Sequence, residues 1–304
     1  MKHILRAAFH RSGALSAARW LKRRRLRILM YHRFDDRETI ARQCAHIRAC
    51  CTPVSLTQAA DWLRSGATWP DNALVVTVDD GYRDFYRIAW PVFREYGIPA
   101  TVYLVTDFLD RREWLWVDRV RWVYRHAPGL QATQEERLKQ ARAAIETAKR
   151  MPNQDRLAWL DGFSGELGVR PPEQAPPEYE PMSWDEVREA SETGIEFGAH
   201  TRSHPILAML AGERELAAEI AGSKRRIEEQ LARPVDHFCY PNGSLSDFTS
   251  AAVHVVREAG FRTATTTVPG LVAPEDDALR LRRIGVDPGY EERYFAECAA
   301  GLHL

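Results

Sequence analysis

The stretch VVTVDDGYRDF (Val75–Phe85) joins a strand-like run to a helix-like run and places two carboxylates at the junction. Its first four residues, VVTV, are all β-branched, which is typical of a strand buried on both faces in a parallel sheet. From Arg83 the apolar residues recur at helical spacing. Asp79 and Asp80 therefore lie where a strand ends and a helix begins. Adjacent carboxylates beside a core repel each other. The pattern indicates either a helix cap with a solvated neighbour or a site that holds a cation.

The same alternation of strand and helix continues along most of the chain. The predicted strands lie near Arg27–Tyr31, Leu74–Val78, Ala100–Val105, Ile195–Ala199, Asp236–Cys239, Arg262–Thr266 and Leu281–Val286. The predicted helices are Glu38–Ala49, Leu56–Ser65, Arg83–Tyr96, Ser183–Thr193, Gly212–Leu231 and Ser246–Ala259, with a further short helix expected in PILAML from Pro205. Strands that alternate with helices pair in parallel, and seven of them close most economically as a barrel. The sequence therefore predicts an α/β barrel.

One region interrupts the alternation, from Asp110 to Pro181. It contains helix-like sequence at Glu135–Lys149 and Arg156–Leu167 and ends in the Pro-rich run PPEQAPPEYEP, which is typical of an extended linker. We therefore predict a helical insertion over about residues 110–181 of a barrel that spans 28–290, followed by a tail at 291–304.

Three tryptophans cluster at the start of this insertion, in REWLWVDRVRW: Trp114, Trp116 and Trp122. Core packing is the commoner fate of such residues, and a wall that stacks on sugar rings is the alternative.

The formal net charge is zero, but the first 27 residues carry nine Lys and Arg and no acid. Their apolar positions are roughly helical in spacing, so this segment is expected either to lie on an anionic membrane surface or to be a solvated tail. Because the basic charge is confined to one tail, nucleic-acid binding is not expected.

The sequence has neither a run of 18 apolar residues nor an uninterrupted apolar stretch after the first charges. We therefore expect no transmembrane helix and no cleaved signal peptide. Five cysteines, an odd number without paired metal-type spacing, fit a reducing compartment. The expected location is the cytoplasm, with a possible peripheral contact at the inner membrane through residues 1–27.

Polar residues gather where the predicted strands end, which is the face that carries function in parallel α/β barrels. The strand ends carry Tyr31–His32, Asp79–Gly81, Thr106–Asp107, His200, Tyr240–Gly243 and Asp287. His200 and His204 flank a strand-to-helix turn and can converge on one ion. Imidazole together with carboxylate suits Zn, Fe, Co, Ni or Mn. With the Asp pair on another strand end, metal binding becomes the favoured interpretation.

TVDDG (Thr77–Gly81), HTRSHP (His200–Pro205) and YPNG (Tyr240–Gly243), in this order and spacing, resemble the polysaccharide deacetylases, the NodB-homology or carbohydrate esterase family 4 group. The resemblance runs from about Ile28 to Asp287, apart from the helical insertion. It implies a distorted (β/α)7 barrel and metal-dependent removal of an acyl group from a sugar amide or ester.

The resemblance also implies roles for individual residues. The expected ligands of one divalent metal ion, with Zn first and Co, Ni, Fe or Mn possible, are Asp80, His200 and His204. Asp79 would be the general base that takes a proton from the metal-bound water. A backbone N–H near Asn242 would help to form the oxyanion site, and Tyr240 would line the sugar pocket unless its role is structural.

The third motif departs from the family pattern, which begins it with an Arg that pairs with the base. Cys239 stands in that place here. A replacement guanidinium is expected from the last strand, RLRRIGV, with Arg283 as our choice and Arg282 as the alternative.

The second departure is the lack of a late histidine that protonates the leaving group in many members. After His254 only His303 remains, at the extreme terminus. The first predicted strand supplies His32, in LMYHRF, and first and last strands are neighbours in a closed barrel. This resembles the branch of the poly-N-acetylglucosamine deacetylases, so His32 is our candidate general acid. Its structural alternative is a histidine that caps a strand.

The sequence thus predicts a metal-dependent hydrolase that removes an N- or O-acyl group, most often acetyl, from a sugar of a surface polysaccharide or glycan precursor. Its partner would be an acylated glycan or a lipid-linked sugar. The alternatives are a deformylase or deacylase of a lipid-linked amino sugar or small amide, and a glycan-binding barrel without catalysis. The missing Arg favours the last, and retention of all four Asp and His residues of the two motifs counts against it.

Overall fold

A computed structural model describes residues 13–302 of the chain. Eight strands run parallel in one sheet. They are β1 (Arg27–Tyr31), β2 (Thr52–Pro53), β3 (Ala73–Val78), β4 (Ala100–Leu104), β5 (Ile195–Ala199), β6 (His237–Cys239), β7 (Thr263–Pro269) and β8 (Leu281–Gly285).

Seven of these strands close into a barrel because β1 pairs with both β3 and β8. Leu29, for example, is in register with Val76 on one side and with Ile284 on the other. The predicted distorted (β/α)7 barrel is thereby confirmed. The additional strand β2 has only two residues and pairs with the first residues of β3. Its sequence, Thr-Pro, is too short to give a recognisable strand pattern.

Within residues 13–302, twelve α-helices surround or extend the sheet. They are α1 (Ala14–Leu21), α2 (Arg37–Cys50), α3 (Leu56–Ser65), α4 (Trp90–Tyr96), α5 (Thr106–Leu109), α6 (Trp116–His126), α7 (Gln134–Ala148), α8 (Asn153–Glu166), α9 (Trp184–Ser191), α10 (Glu213–Leu231), α11 (Ser250–Glu258) and α12 (Glu292–Ala299).

The helix predicted at Arg83–Tyr96 is not one regular helix. It opens with a wide turn of π-helix at Phe85–Ala89 and continues as α4. Pro91, in the first turn of α4, has no N–H to donate to the preceding turn, which favours such an irregularity.

The helix predicted from Pro205 is also wrong beyond a single turn. Only Leu207–Met209 form a 3-10 turn, and Leu210 is already extended. Ile206 packs into the core of the helical insertion, so the chain crosses the barrel rim here instead of coiling.

Alternate residues of the strands divide between two cores. Val76 and Val78 of β3 belong to the large core under the helices, whereas Val75 belongs to a smaller cluster that also contains Tyr103 and Cys239. Two-residue periodicity sends neighbouring side chains to opposite faces of the barrel wall. This alternation brings Tyr103 and Cys239 to the inside of the barrel, below the strand ends.

The insertion consists of α6, α7 and α8, which share a core of their own around Trp116, Ile145 and Phe163. The two helices predicted there, Glu135–Lys149 and Arg156–Leu167, are confirmed with small shifts at their ends. Helix α6 was not predicted. The chain returns through the Pro-rich segment, which has one 3-10 turn at Pro177–Tyr179. The domain limits drawn from the sequence remain a prediction.

Helix α1 lies at the amino end of β1. It packs through Leu15 against Ala296 and Ala300 of the carboxyl-terminal segment, while Trp20 and Leu21 are 61% and 73% exposed. The rest of the predicted basic segment, residues 1–12, lies outside the described residues, as does His303. Within residues 13–302 no helix has both the length and the apolar character that membrane crossing requires.

Candidate metal-centred active site

A cleft of about 450 Å³ opens at the carboxyl ends of the barrel strands. It contains six of the eight candidate site residues identified from the sequence: His32, Asp79, Asp80, His200, His204 and Asn242. Arg283 lies behind it and Tyr240 does not reach it. The motifs that the sequence spreads over two hundred positions thus meet in one cleft.

Three of the predicted ligands converge in the cleft. Asp80 follows β3, His200 follows β5, and His204 lies on the loop after β5. The Nε2 atoms of His200 and His204 each lie 3.5 Å from Oδ1 of Asp80, and all three side chains are buried. Such spacing between ligand atoms matches the edges of a tetrahedral metal site.

The hydrogen bonding of these residues leaves electron pairs facing one another. Nδ1 of His200 lies 2.7 Å from the carbonyl oxygen of Cys239, so Nδ1 carries the proton and Nε2 of the neutral ring presents a lone pair. Oδ1 of Asp80 and Nδ1 of His204 are buried without hydrogen-bond partners in the described structure. Burial raises the pKa of Asp80 to about 7. Burial also lowers the pKa of His204 well below its ordinary value, and the charge of His200 lowers it further. A divalent cation would be held by Oδ1 of Asp80 together with the lone pairs of the two Nε2 atoms, so the residues fit one metal ion.

The backbone at the ligands is held in an uncommon conformation. The φ angles of Asp80 and His204 are +77° and +56°, values that side chains other than Gly adopt rarely. Gly81 has a φ of +80°, and a Cβ atom there would lie 2.9 Å from Cδ2 of Leu104. The chain turns sharply at both ligand loops, and only Gly fits the second position of the Asp80–Gly81 turn.

The second carboxylate of the pair, Asp79, points to a different partner. Arg283 donates from Nη1 to Oδ1 and from Nη2 to Oδ2 of Asp79, at 2.6 and 2.7 Å. Both side chains are buried. Although burial opposes it, the Arg283 guanidinium holds the pKa of Asp79 well below its usual range. The sequence left Arg283 and Arg282 open; Arg282 lies on the exposed face of β8, so the pair is Asp79–Arg283.

Cys239 lies against this pair at the position where the family has Arg. Its Sγ is 3.1 Å from Nη2 of Arg283 and 3.7 Å from Oδ2 of Asp79. Within the described residues, Asp79, His200 and Cys239 form a second group with metal-type spacing. It fits a metal poorly, because burial raises the pKa of the Cys239 thiol and Arg283 already occupies both oxygens of Asp79.

His32 follows β1 and reaches the same place. Its Nε2 lies 3.7 Å from Oδ2 of Asp79, and 46% of its side chain is exposed to the cleft. Partial burial lowers the pKa of His32, the Asp79 carboxylate opposes this, and Arg283 lowers the pKa further. The structure therefore places a histidine from the first strand beside the carboxylate that is paired with the last strand.

Asn242 and Tyr240, both in YPNG, have different surroundings. Asn242 lines the cleft with a φ of +58°, and its Nδ2 is buried without a partner in the described structure. Tyr240 is fully buried, stacks on Phe248 at 4.1 Å and donates its hydroxyl to the carbonyl of Leu279. The expectation that Tyr240 lines the sugar pocket is wrong, because the ring faces the helix side of the barrel wall; its structural alternative holds.

The insertion supplies one side of the cleft, which the sequence did not predict. The residues it contributes are Val117 and Arg121 from α6, Arg142, Ile145 and Glu146 from α7, and Lys149, which directly follows α7. Barrel residues Arg33, Tyr82 and Thr267 also line the cleft and were not predicted. The signal available for α7 was the spacing of its residues on one helical face, which alone does not say what the face covers.

The three tryptophans of the insertion are not a wall of the cleft. Trp114 and Trp116 are buried, and Trp122 stacks on His126 at 4.1 Å. None of them is among the lining residues. The three side chains pack within the protein, as the commoner of the two alternatives predicted.

Comparison with known proteins gives a consistent family. The model of the family described as polysaccharide deacetylase matches residues 66–264. YxkH of Bacillus subtilis (strain 168), which carries the provisional name of a polysaccharide deacetylase, is 20% identical over 219 residues, 72% of this chain and 53% of that protein. The chain therefore spans about half the length of this relative.

A second relative matches more closely over a shorter stretch. The poly-beta-1,6-N-acetyl-D-glucosamine N-deacetylase of Escherichia coli (strain K12) is 36% identical over 58 residues, which are 19% of this chain and 9% of that protein.

Two solved structures share the fold over nearly their full length. The Streptococcus pyogenes deacetylase PplD in complex with acetate aligns with a TM-score of 0.61 at 17% identity, covering 90% of this chain and 97% of that one. IcaB from Ammonifex degensii aligns with a TM-score of 0.60 at 20% identity, covering 92% and 97%. At such identities the likeness establishes the fold.

Proposed function

This chain belongs to the polysaccharide deacetylase family, and on that premise we propose that it removes an N- or O-acyl group, first of all acetyl, from a sugar unit of a glycan with one bound divalent metal ion. The observation that carries the proposal is the convergence of Asp80, His200 and His204 beside the Asp79–Arg283 pair in one cleft. The Escherichia coli relative, named as a deacetylase of poly-N-acetyl-glucosamine, supports an acetylated amino sugar as the substrate.

The ligand set and its neighbours divide the chemistry. A divalent ion, with Zn²⁺ first, would polarise the substrate carbonyl and lower the pKa of a water molecule at the site. Asp79, kept ionised by Arg283, accepts the proton of the attacking water. Because each oxygen of Asp79 already accepts from Arg283, the carboxylate is fixed in one orientation for this transfer.

The leaving group and the developing oxyanion have their own partners. Asn242 offers a buried amide donor whose hydrogen-bonding capacity is unused in the described structure, which suits the oxygen that gains charge as the carbonyl is attacked. His32, exposed to the cleft beside Asp79, is placed to give a proton to the leaving amine or alcohol.

The Asp79–Arg283 pair also favours catalysis over the alternative of a binding barrel. The support for that alternative was the replacement of the family Arg by Cys239. Since Arg283 supplies the guanidinium from β8, the carboxylate has the partner that it needs.

Metal content and acyl release in the same variants test the proposal. After loading with Zn²⁺ and desalting, the wild type should retain about one ion per chain, and His200→Ala should lose it. His254→Ala is the matched control, because His254 is exposed on α11 and outside the cleft. Release of acetate or formate from N-acylated sugar oligomers identifies the acyl group. Negligible metal in all three proteins, with saturable glycan binding, would instead make the chain a binding barrel.

A further inference from the structure

The cleft has a cationic wall, defined as Arg33, Arg121, Arg142 and Lys149. Three of the four come from the insertion. Arg142 and Glu146 of α7 and Lys149, the residue that caps its carboxyl end, lie on one side because they are four and three residues apart. The acids of the cleft lining are fewer: Asp79, Asp80 and Glu146.

Most of the wall has a local carboxylate partner. Arg121 pairs with Asp118 at 2.7 Å and Lys149 with Glu146 at 2.8 Å. Arg142 makes no hydrogen bond or ion pair within residues 13–302. Arg121 donates to Asp118 through Nη1, which leaves other N–H donors of that guanidinium for a ligand.

We propose that this wall binds an oxyanion group, a phosphate or a carboxylate, carried by the acylated sugar substrate. The inference rests on the proposed function for the acylated sugar, but the anion site itself depends only on the four cations of the wall. Arginine donors arranged around an open space match the geometry of phosphate and carboxylate oxygens. The substrate class is therefore an anionic acylated sugar, not a neutral one.

Binding measured by calorimetry separates this inference from the proposed function. The probes are N-acetylglucosamine, N-acetylglucosamine 1-phosphate and N-acetylmuramic acid, and the proteins are the wild type, Arg142→Gln and Lys139→Gln. Lys139 is the matched control, because it is an exposed cation on the same helix outside the cleft.

The wild type should bind an anionic probe more tightly than the neutral one. Arg142→Gln should lower the affinity for that anionic probe on the order of fivefold and leave the affinity for the neutral probe unchanged. Preference for the phosphate or for the carboxylate identifies the group. Equal affinity for all three probes, or equal losses in the two variants, would overturn the anion site. Selective binding without acyl release would overturn the proposed function alone.

A different observation links the insertion to the metal ligands. The indole Nε1 of Trp116 donates to the carbonyl oxygen of His204 at 3.1 Å. Two residues along the same helix, Asp118 accepts a hydrogen bond from the hydroxyl of Tyr82, which follows Asp80 and Gly81. All of these side chains are buried. Helix α6 thus holds both loops that carry the ligands.

We infer that Trp116 is a positioning residue for the metal ligands. His204 and Asp80 have positive φ angles, so their loops need contacts that keep them in this conformation. Trp116 acts on the backbone of His204 and not on a reacting atom. The insertion then stabilises the loops that carry the proposed ligands, in addition to lining one side of the cleft.

The test compares Trp116→Phe with Trp114→Phe. Phe keeps an aromatic ring and removes the N–H donor in each case. Trp114 is the matched control, because it is equally buried and donates to the carbonyl of Glu173, away from both ligand loops. Zn²⁺ affinity from competition with a chelating dye should fall about tenfold in Trp116→Phe and stay within about twofold of the wild type in Trp114→Phe.

Hydrogen exchange of the metal-free proteins supplies a second readout that does not need the ion. The segment 200–206 should exchange faster in Trp116→Phe than in Trp114→Phe. A merely structural role would lower the melting temperature of both variants alike and leave the two readouts equal, and that result would overturn the inference. A wild type that binds no Zn²⁺ would overturn the proposed function. The hydrogen-exchange result would still decide whether Trp116 holds the loop that carries His204.

Discussion

Asp79 receives its guanidinium from β8, whereas the family pattern supplies it from the strand that here ends in Cys239. Arg283 and Cys239 point into the same space inside the barrel, with Nη2 of Arg283 3.1 Å from Sγ of Cys239. A small thiol at position 239 leaves room for the long side chain that enters from β8. Asp79 thus keeps a guanidinium partner, which comes from a different strand than the family pattern implies.

Removal of this guanidinium is expected to damage both stability and turnover. Arg283→Gln would leave Asp79 buried without its ion-pair partner, which costs about 3–5 kcal/mol in the free energy of unfolding. Acetate release should fall by at least about a hundredfold, because the base is no longer fixed. Urea denaturation and a steady-state assay measure the two effects. Arg282→Gln, on the exposed face of β8, should change neither; similar losses in both variants would contradict this role for Arg283.

A guanidinium introduced at position 239 is expected to compensate in part for the loss of the one at position 283. Cys239→Arg alone adds a second buried guanidinium beside Arg283 and should destabilise the fold by about 1–3 kcal/mol. Cys239→Arg combined with Arg283→Ala should be more stable than the sum of the single changes by at least about 1 kcal/mol. A double-mutant cycle of unfolding free energies measures this coupling, and simple additivity would show that position 239 cannot serve Asp79.

At the scale of residues, the proposed metal ligands and the proposed base could be located in the sequence because they belong to short contiguous motifs. The choice between Arg283 and Arg282 depends on which face of β8 points inward, and that was decided only by the register of β8 beside β1 and β7. Arg142 and Lys149 were not predicted as cleft residues, because an exposed cation on a helix looks the same in the sequence wherever the helix packs.

Strand β5 approaches its neighbours so closely that it needs Gly198. A Cβ atom at this position would lie 2.6 Å from Cδ1 of Tyr103 and 2.8 Å from the carbonyl oxygen of His237. Gly198→Ala should therefore cost about 1–3 kcal/mol in unfolding free energy. Because His200 follows two residues later, Zn²⁺ affinity should fall as well.

A second glycine provides a control, because its substitution is expected to raise the unfolding free energy instead of lowering it. Gly162 lies in α8, and a Cβ atom there would meet no other atom within 4 Å. Gly162→Ala should stabilise the protein by about 0.5–1 kcal/mol and leave Zn²⁺ affinity unchanged. If Gly198→Ala were as stable as Gly162→Ala, the close packing of β5 against Tyr103 would be refuted. Thermal and urea unfolding of both variants provide the measurement.

At the scale of elements, the helices with clear amphipathic periodicity and capping residues were predicted within a few residues of their ends. Ser183 and Glu186 form the expected capping box of α9. The elements that were missed lack such local signals. β2 has two residues, and α6 lies in a Trp- and Arg-rich stretch whose buried face forms against α8 and Ile206.

Over the whole molecule, the basic amino-terminal segment remains a proposed membrane contact. Trp20 and Leu21 of α1 are exposed, and the guanidinium of Arg23 lies 4.4 Å from the Trp20 ring centroid. A truncation of residues 1–27 would also remove Leu26 and Arg27, which are buried in the barrel. Substitution at the exposed side chains is the sharper test.

Trp20→Ser combined with Leu21→Ser should weaken binding to anionic phosphatidylserine vesicles roughly tenfold, because the apolar contact is lost while the charge is kept. Leu245→Ser is the matched control, since Leu245 is 74% exposed in a loop at the opposite end of the barrel wall. Vesicle pelleting measures the binding. Unchanged binding in the double variant, or none by the wild type, would mean that α1 is a solvated part of the fold.

At this scale the sequence predicted a closed barrel with an insertion, because seven strands alternating with helices leave few other arrangements. It did not predict where the insertion packs. Its placement over the strand ends depends on long-range contacts such as those of Trp116 with the loop after β5 and of Asp118 with Tyr82. Such contacts between distant segments leave no periodic pattern in either partner.

The closure of the barrel by β8 has a consequence for the order of events during synthesis. Arg283 follows Asp79 by 204 residues, so the carboxylate stays without its partner until β8 has been synthesised and has left the ribosome. The paired β1 and β8 are separated by a very long loop, which makes their association a late and slow step of folding. A nascent or truncated chain that lacks β8 is therefore expected to be inactive whatever its metal content, because Asp79 then has no Arg283 beside it.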